Sequence, residues 1–265
     1  MKTSLKEPVE LLVCVCVCFG IPSSGVLKGC HRVSVSFERS SWFGLRSGTV
    51  QALDQVTCDF APGITTLIGP SGSGKSTLGR VIVNQEDGQE FCKGGGRLIF
   101  DHSNSTRPKF SYSRQMIDPF FYDTYDSSRS AYALLNLGPD SIMAEKALSL
   151  SGVSFKESVG SLLESERRMF EIILALSKLK GSGRPVLVLD EYLDKDDLSV
   201  KRKVARFMRA LCQDPEVGLQ VFIITHSRGV VETCSDFVVA LCGGRVFHQG
   251  EPGRVRFPSQ LILTT

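Results

Sequence analysis

Gly69-Pro70-Ser71-Gly72-Ser73-Gly74-Lys75-Ser76 fits the pattern G-x-x-x-x-G-K-[ST] at every fixed position. Residues 63–68, Gly-Ile-Thr-Thr-Leu-Ile, precede it as a short buried strand, and residues 77–83, Thr-Leu-Gly-Arg-Val-Ile-Val, follow as the first turns of a helix. Strand, glycine loop and helix in that order are the setting in which the pattern cradles phosphate. The glycines let backbone N–H groups close around phosphate oxygens, and the helix N-terminus adds partial positive charge. The Lys75 ammonium reaches the terminal phosphates, and the Ser76 hydroxyl is suited to hold Mg²⁺. A chance glycine-rich turn would account for the glycines but not for the lysine, the hydroxyl and both flanking elements together. The stretch predicts a nucleoside triphosphate site running through Thr77.

With 265 residues, 42% hydrophobic and 22% charged, the chain has material for one large α/β domain or two small ones with a proper core. A net charge of +3 is too small to argue for a nucleic-acid partner, and none is expected. Lys201, Arg202, Lys203, Arg206 and Arg209 cluster, but Leu198, Val204, Phe207, Met208 and Leu211 interleave with them at helical spacing, which reads as an amphipathic helix with a solvated basic face. Nine cysteines give no disulfide or zinc framework. Cys58, Cys92, Cys212, Cys234 and Cys242 stand singly among apolar residues, as buried free thiols do, and point to a reducing compartment. Cys14, Cys16 and Cys18 alternate with valine and lack metal-site spacing.

Residues 11–21 form an unbroken apolar run preceded by Lys2 and Lys6 and followed by Pro22-Ser23-Ser24-Gly25. The run resembles a signal-peptide core and is too short for a membrane span. Three readings stay open for residues 1–30: a targeting or anchoring extension, a start placed too early, and a β-hairpin edge. Residues 31–37 and 50–60 alternate apolar with polar positions and read as antiparallel strands joined by a loop that holds Trp42 and Phe43. Residues 94–100 add another strand. Residues 128–176 turn helix-like, with Ala131, Leu134, Leu135, Ile142, Ala147, Leu148, Leu162, Met169, Ile172 and Ile173 as apolar positions, and form a helical insertion at about 116–180. Residues 185–189 and 219–224 are dense in branched apolar side chains, as strands buried on both faces are.

The first of those strands ends in Asp190-Glu191, the second in Thr225-His226-Ser227. An aspartate at a buried strand's carboxyl end can bind the Mg²⁺ shell, and the next glutamate can orient or deprotonate an attacking water. A histidine ending a neighbouring strand would face the terminal phosphate, because open α/β sheets take ligands along that edge.

Taken together these motifs resemble the ATP-binding cassette (ABC) ATPases that drive ABC transporters, with the likeness covering residues 31 to about 255 and residues 256–265 left as a tail. The resemblance implies an α/β P-loop fold of ABC type: a mixed sheet with a parallel core, an antiparallel β subdomain and an inserted helical subdomain. In that family residues 69–76 correspond to Walker A, Asp190 and Glu191 to Walker B, and His226 to the switch histidine. Gln115, in Ser111-Tyr112-Ser113-Arg114-Gln115-Met116, resembles the Q-loop glutamine that senses Mg²⁺ and couples to the transport subunit. Residues 52–60, Pro62-Gly63 and residues 74–80 are especially similar to ATPase subunits of oligopeptide-type importers, and Trp42 or Phe43 would then stack on adenine. Residues 238–250 are similar to the family's closing hairpin. What the resemblance implies is an ATPase using ATP and Mg²⁺, with Glu191, His226 and Lys75 catalytic and Ser76, Gln115 and Asp190 at the metal. Its expected partners are a second ABC ATPase domain and a transmembrane transporter subunit docked near Gln115. Its expected place is the cytoplasmic or organelle-interior face of a membrane.

One motif departs from the family. Where members read L-S-G-G-Q, this chain has Leu162-Leu163-Glu164-Ser165-Glu166, without either glycine. Those glycines open a helix N-terminus to the γ-phosphate bound by the opposite subunit, and Glu164 puts a negative charge there instead. Tyr192 replaces the proline that usually follows the Walker B glutamate, while Asp197 keeps the final aspartate of that loop. In a sandwich of two domains each nucleotide meets one subunit's Walker motifs and the other's signature, so the alteration affects the partner's site. The expectation is an asymmetric pair whose other member carries a good signature. A soluble ABC ATPase outside transport, a small-molecule kinase and an ATP-holding regulator are the competing readings.

Overall fold

The computed structural model describes residues 14–21, 26–39, 48–83, 96–100, 135, 137, 141–156, 158–177 and 184–254. In chain order its main elements are β1 (Cys14–Ile21), β2 (Leu27–Arg39), β3 (Gly48–Asp59), β4 (Ile64–Ile68), α1 (Lys75–Val83), β5 (Arg97–Phe100), α2 (Ile142–Ser151), α3 (Glu164–Ser177), β6 (Arg184–Asp190), α4 (Leu198–Gln213), β7 (Gln220–Thr225), α5 (Arg228–Cys234), β8 (Phe237–Cys242) and β9 (Arg245–Gly250). A six-stranded sheet runs β1-β6-β7-β4-β8-β9. Its four central strands are parallel, and β1 and β9 close its two ends antiparallel. A second, antiparallel sheet runs β3-β2-β5.

The parallel strands are apolar at successive positions because both faces of the sheet are covered. Leu187 and Leu189 of β6, Val221 and Ile223 of β7, and Ile64 of β4 pack with α2, α3 and α4. Val186, Val188, Phe222, Ile224 and Leu67 point the other way, into a core shared with Leu78 and Ile82 of α1 and with Cys30, Val33, Leu53 and Val56 of the second sheet. Phe222 is fully buried and meets Phe60 edge-on, with ring centroids 4.9 Å apart at 82°. Phe222→Ala should therefore cost about 3–5 kcal/mol of stability, read as a lower urea midpoint with unchanged slope.

The antiparallel pair expected at 31–37 and 50–60 is present, with β2 longer at both ends and β3 starting two residues earlier and ending one sooner. Its register slips between Cys30 and Ser36, where Arg32 of β2 and Gln55 of β3 take left-handed φ values of 53° and 48°. The N–H groups freed there donate to cross-strand hydroxyls, Arg32 N to Thr57 Oγ1 and Gln55 N to Ser34 Oγ, each at 3.0 Å. Within the helical stretch, α2 and α3 are separate helices, parted by residues 152–163, and Ile142, one of the apolar positions of the pattern, is exposed. Its place in the first turn of α2, at the end of the buried stripe Ala144 and Ala147, leaves it in solvent.

The apolar run 11–21, set apart above with residues 1–30, contributes β1, paired from Cys14↔Asp190 to Ile21↔Arg184 along β6; residues 27–30 likewise open β2. Cys58 is not solitary: it sits opposite Cys30, with the sulfurs 3.4 Å apart and the Cys30 thiol turned to the Val56 carbonyl. Cys242 is exposed at the end of β8. On α4 the basic face is solvated except at Lys201, which is buried, and Leu198 is exposed where the helix starts. Among the described residues no helix is long and apolar enough to cross a membrane.

Candidate functional site

The 69–74 loop leaves the carboxyl end of β4 and is held from two sides. A Cβ on Gly69 would stand 2.1 Å from the Leu241 carbonyl of β8, and one on Gly74, at φ 98°, would stand 2.6 Å from the Ala52 carbonyl of β3. The turn between β8 and β9 adds a brace, Gly244 N donating to Ser73 O at 3.1 Å. Inside the loop Ser73 N donates to Pro70 O at 3.1 Å, and the Lys75 ammonium donates to Gly69 O at 2.8 Å and Pro70 O at 3.0 Å. Burial lowers the Lys75 pKa, while the nearby charges of Asp190, Glu191 and Asp194 oppose that. Ser73 Oγ is buried inside the loop with no hydrogen-bond partner among the described residues.

Lys75 and Ser76 open α1, which lies against β6 and β7, so the helix start comes beside the ends of both strands. The Ser76 hydroxyl comes beside the Asp190 carboxylate at the end of β6. Burial raises the Asp190 pKa, the Ser76 hydrogen bond partly offsets this, and the Glu191 charge adds to the rise. Glu191 is one of three described non-glycine residues at positive φ, 53°, a conformation that costs on the order of 1 kcal/mol. It is held there by its N–H, which donates to Ile224 O on β7 at 2.8 Å. This turn aims its carboxylate at His226, whose Nδ1 lies 3.4 Å from Glu191 Oε1 and 3.2 Å from Asp194 Oδ2.

Lys75, Ser76, Asp190, Glu191 and His226, read separately from three motifs, thus meet along one edge of the sheet. Gln115, Trp42 and Phe43 lie outside the described residues. Asp194 escaped the motif reading. The available signal was a third carboxylate four positions after Asp190, but its contact with His226 crosses from one strand end to the next.

Residues 162–166 form the entrance to α3. The Glu166 carboxylate folds back and accepts the Leu163 N–H at 2.9 Å, a capping arrangement that uses a donor otherwise open to an anion. Glu164 stands in the same first turn, and Leu163 is exposed. Just behind, Arg168 donates to both Asp196 oxygens at 3.1 Å, while its guanidinium lies 4.8 Å from the centre of the Tyr192 ring. The Tyr192 hydroxyl donates to Arg168 O at 2.8 Å and pairs with Glu171. The tyrosine that replaces proline therefore ties the loop after β6 to α3. Asp197 caps α4, accepting from Val200 N at 2.9 Å.

A profile of the ABC transporter family matches residues 53–194, more than half of the sequence. The chain belongs to the ABC transporter family. Among curated relatives, a sulfate/thiosulfate import ATP-binding protein of Yersinia pseudotuberculosis is 26% identical over 222 residues, covering 78% of this chain and 58% of its own length. An oligopeptide transport ATP-binding protein of Lactococcus lactis is 26% identical over 230 residues, covering 80% of this chain and 69% of its own. The chain thus spans little more than half the length of the sulfate/thiosulfate relative. Among solved structures, the ADP conformation of an ATP-binding cassette of an ABC transporter has a TM-score of 0.55 at 19% identity, covering 85% of this chain and 91% of that one. A Clostridium perfringens cassette, part of an ABC transporter complex, has a TM-score of 0.54 at 22% identity, covering 84% and 89%. These likenesses establish the ABC cassette fold, with its mixed sheet and parallel centre, expected from the motifs.

Proposed function

We propose that this chain is the ATP-binding and ATP-hydrolysing subunit of an ABC transporter, and that it works in an asymmetric pair. The observation that carries the reading is one intact half-site beside one closed one. The phosphate loop, Asp190, Glu191 and His226 line a single sheet edge, while at the entrance to α3 the Glu166 carboxylate takes the Leu163 N–H and Glu164 stands in the first turn, paired with Arg168 at 3.4 Å. ATP would lie along the loop with its phosphates on the backbone N–H groups and on Lys75, whose ammonium exchanges two loop carbonyls for phosphate oxygens. The Ser76 hydroxyl beside a half-buried carboxylate fits Mg²⁺, which is ordinarily held by one or two carboxylates together with substrate phosphates. The ion would neutralise charge developing on the phosphates. Asp190 and Ser76 would hold it, Glu191 would orient and deprotonate the attacking water, and His226 would face the γ-phosphate.

A partner with an open signature would complete this chain's nucleotide site, and this chain would give little in return. Closure of the pair would drive a separate membrane subunit, placing the protein peripherally on a membrane face. The sulfate/thiosulfate relative carries import in its name and the oligopeptide relative carries transport, which favours an importer-type assembly. The test is light scattering on the full chain carrying Glu191→Gln, with and without MgATP. A monomer that binds ATP yet keeps its mass is expected; a mass that doubles with MgATP would show a self-sandwich and overturn the asymmetric pairing.

A further inference from the structure

The Asp194 side chain is 8% exposed and both its oxygens are engaged. Oδ1 accepts from Thr225 Oγ1 at 2.5 Å, and Oδ2 accepts the His226 backbone N–H at 3.4 Å and lies 3.2 Å from His226 Nδ1. The Thr225 hydroxyl accepts in turn from Ser227 N at 2.9 Å. One carboxylate therefore fixes the backbone and side chains where β7 ends. Asp194 is itself anchored, its N–H reaching Glu191 O at 3.5 Å and its carbonyl taking Lys201 Nζ at 3.4 Å.

A ring nitrogen that faces two carboxylates is the one that carries a proton, since a bare lone pair there would repel them. His226 faces Glu191 and Asp194 with Nδ1, so Nε2 is left for the outer side of a ring that is 41% exposed. We infer that Asp194 is a positioning residue for hydrolysis: it grips His226 by Nδ1, sets its tautomer, and so presents Nε2 to the terminal phosphate. It also supplies a second acceptor for the Nδ1 proton, which leaves Glu191 free for the water. The inference rests on the ATPase reading above, but its geometry does not. A side chain that served only to close the loop would satisfy Thr225 and the His226 N–H and have no bearing on the ring proton.

The deciding measurement uses the full chain labelled with ¹⁵N-histidine at a pH where the ring is neutral. Long-range proton–nitrogen correlations identify the protonated nitrogen, and His226→Gln assigns the signal among the four histidines. The expected result is a proton on Nδ1 in the wild type that moves wholly or partly to Nε2 in Asp194→Ala, with the other histidine signals unchanged. Asp194→Asn, which keeps an acceptor and the shape, should retain the wild-type tautomer. In single-turnover hydrolysis, Asp194→Ala should be slower by about 10- to 100-fold with MgATP affinity unchanged, and should cause no further loss in a His226→Ala background. A wild-type proton on Nε2, a tautomer indifferent to Asp194, or an additive loss in that background would overturn the inference. A tautomer that moves in a chain with no measurable hydrolysis supports it, since a nucleotide site that still lacks a partner's signature is expected to be slow, and the pairing itself is judged by the light-scattering test above.

Discussion

Lys75→Ala should weaken MgATP binding to the isolated chain by about 100-fold or more, as read by titration calorimetry. Charge-assisted hydrogen bonds are worth roughly 1.5–3 kcal/mol each, and the ammonium is placed to make two to the phosphates. The same group also bridges Gly69 O and Pro70 O, which helps give the loop its shape. The variant should consequently lose some loop order together with affinity, but not its core, since Lys75 lies outside the apolar clusters. An affinity within threefold of wild type would remove the loop from the binding site.

Opening the entrance to α3 should convert the chain from a monomer into an ATP-dependent homodimer. In a Glu191→Gln background, Leu163→Ser, Glu164→Gly, Ser165→Gly and Glu166→Gln together remove two carboxylates from a helix N-terminus and leave only a neutral amide to cap the residue-163 N–H. Charge at that position is worth up to about 1 kcal/mol per group, and a symmetric dimer relieves it at two sites, so self-association in MgATP should tighten by roughly 100-fold. Each glycine also costs the helix about 1 kcal/mol, which a thermal melt will register as a lower midpoint. If light scattering still gives a monomer, the altered signature is not what prevents self-pairing.

The parts of this protein that were legible in its sequence are those whose residue types are dictated by local chemistry. Residues 69–76 could be read because a phosphate cradle needs glycines, a lysine and a hydroxyl in fixed order, and β6 and β7 because strands buried on both faces have almost no polar positions. Residues 14–21 were ambiguous because a short apolar run looks the same whether it is a targeting core or a strand; only pairing with β6 distinguishes them. The Asp194–His226 contact was hidden for a similar reason, being created by neighbouring parallel strands rather than by spacing along the chain. The carboxylates in 162–166 were legible as charge, but the way Glu166 turns back onto Leu163 N–H was not, since helix capping depends on where α3 starts. Tyr192 stood out as a replacement, and its role became clear only through Arg168 and Glu171 on α3.

The pairing of β1 with β6 has a consequence for biosynthesis. During translation β1 leaves the ribosome about 170 residues ahead of the strand it pairs with, a wait of roughly ten to thirty seconds at ordinary elongation rates. For that interval the nascent chain carries an apolar stretch whose pairing edge is unmet, the kind of segment that chaperones bind and that aggregates when they do not. The strand that reaches Asp190 is thus completed at one edge by a strand made long before it, and a chain lacking β1 would emerge with that edge of β6 bare.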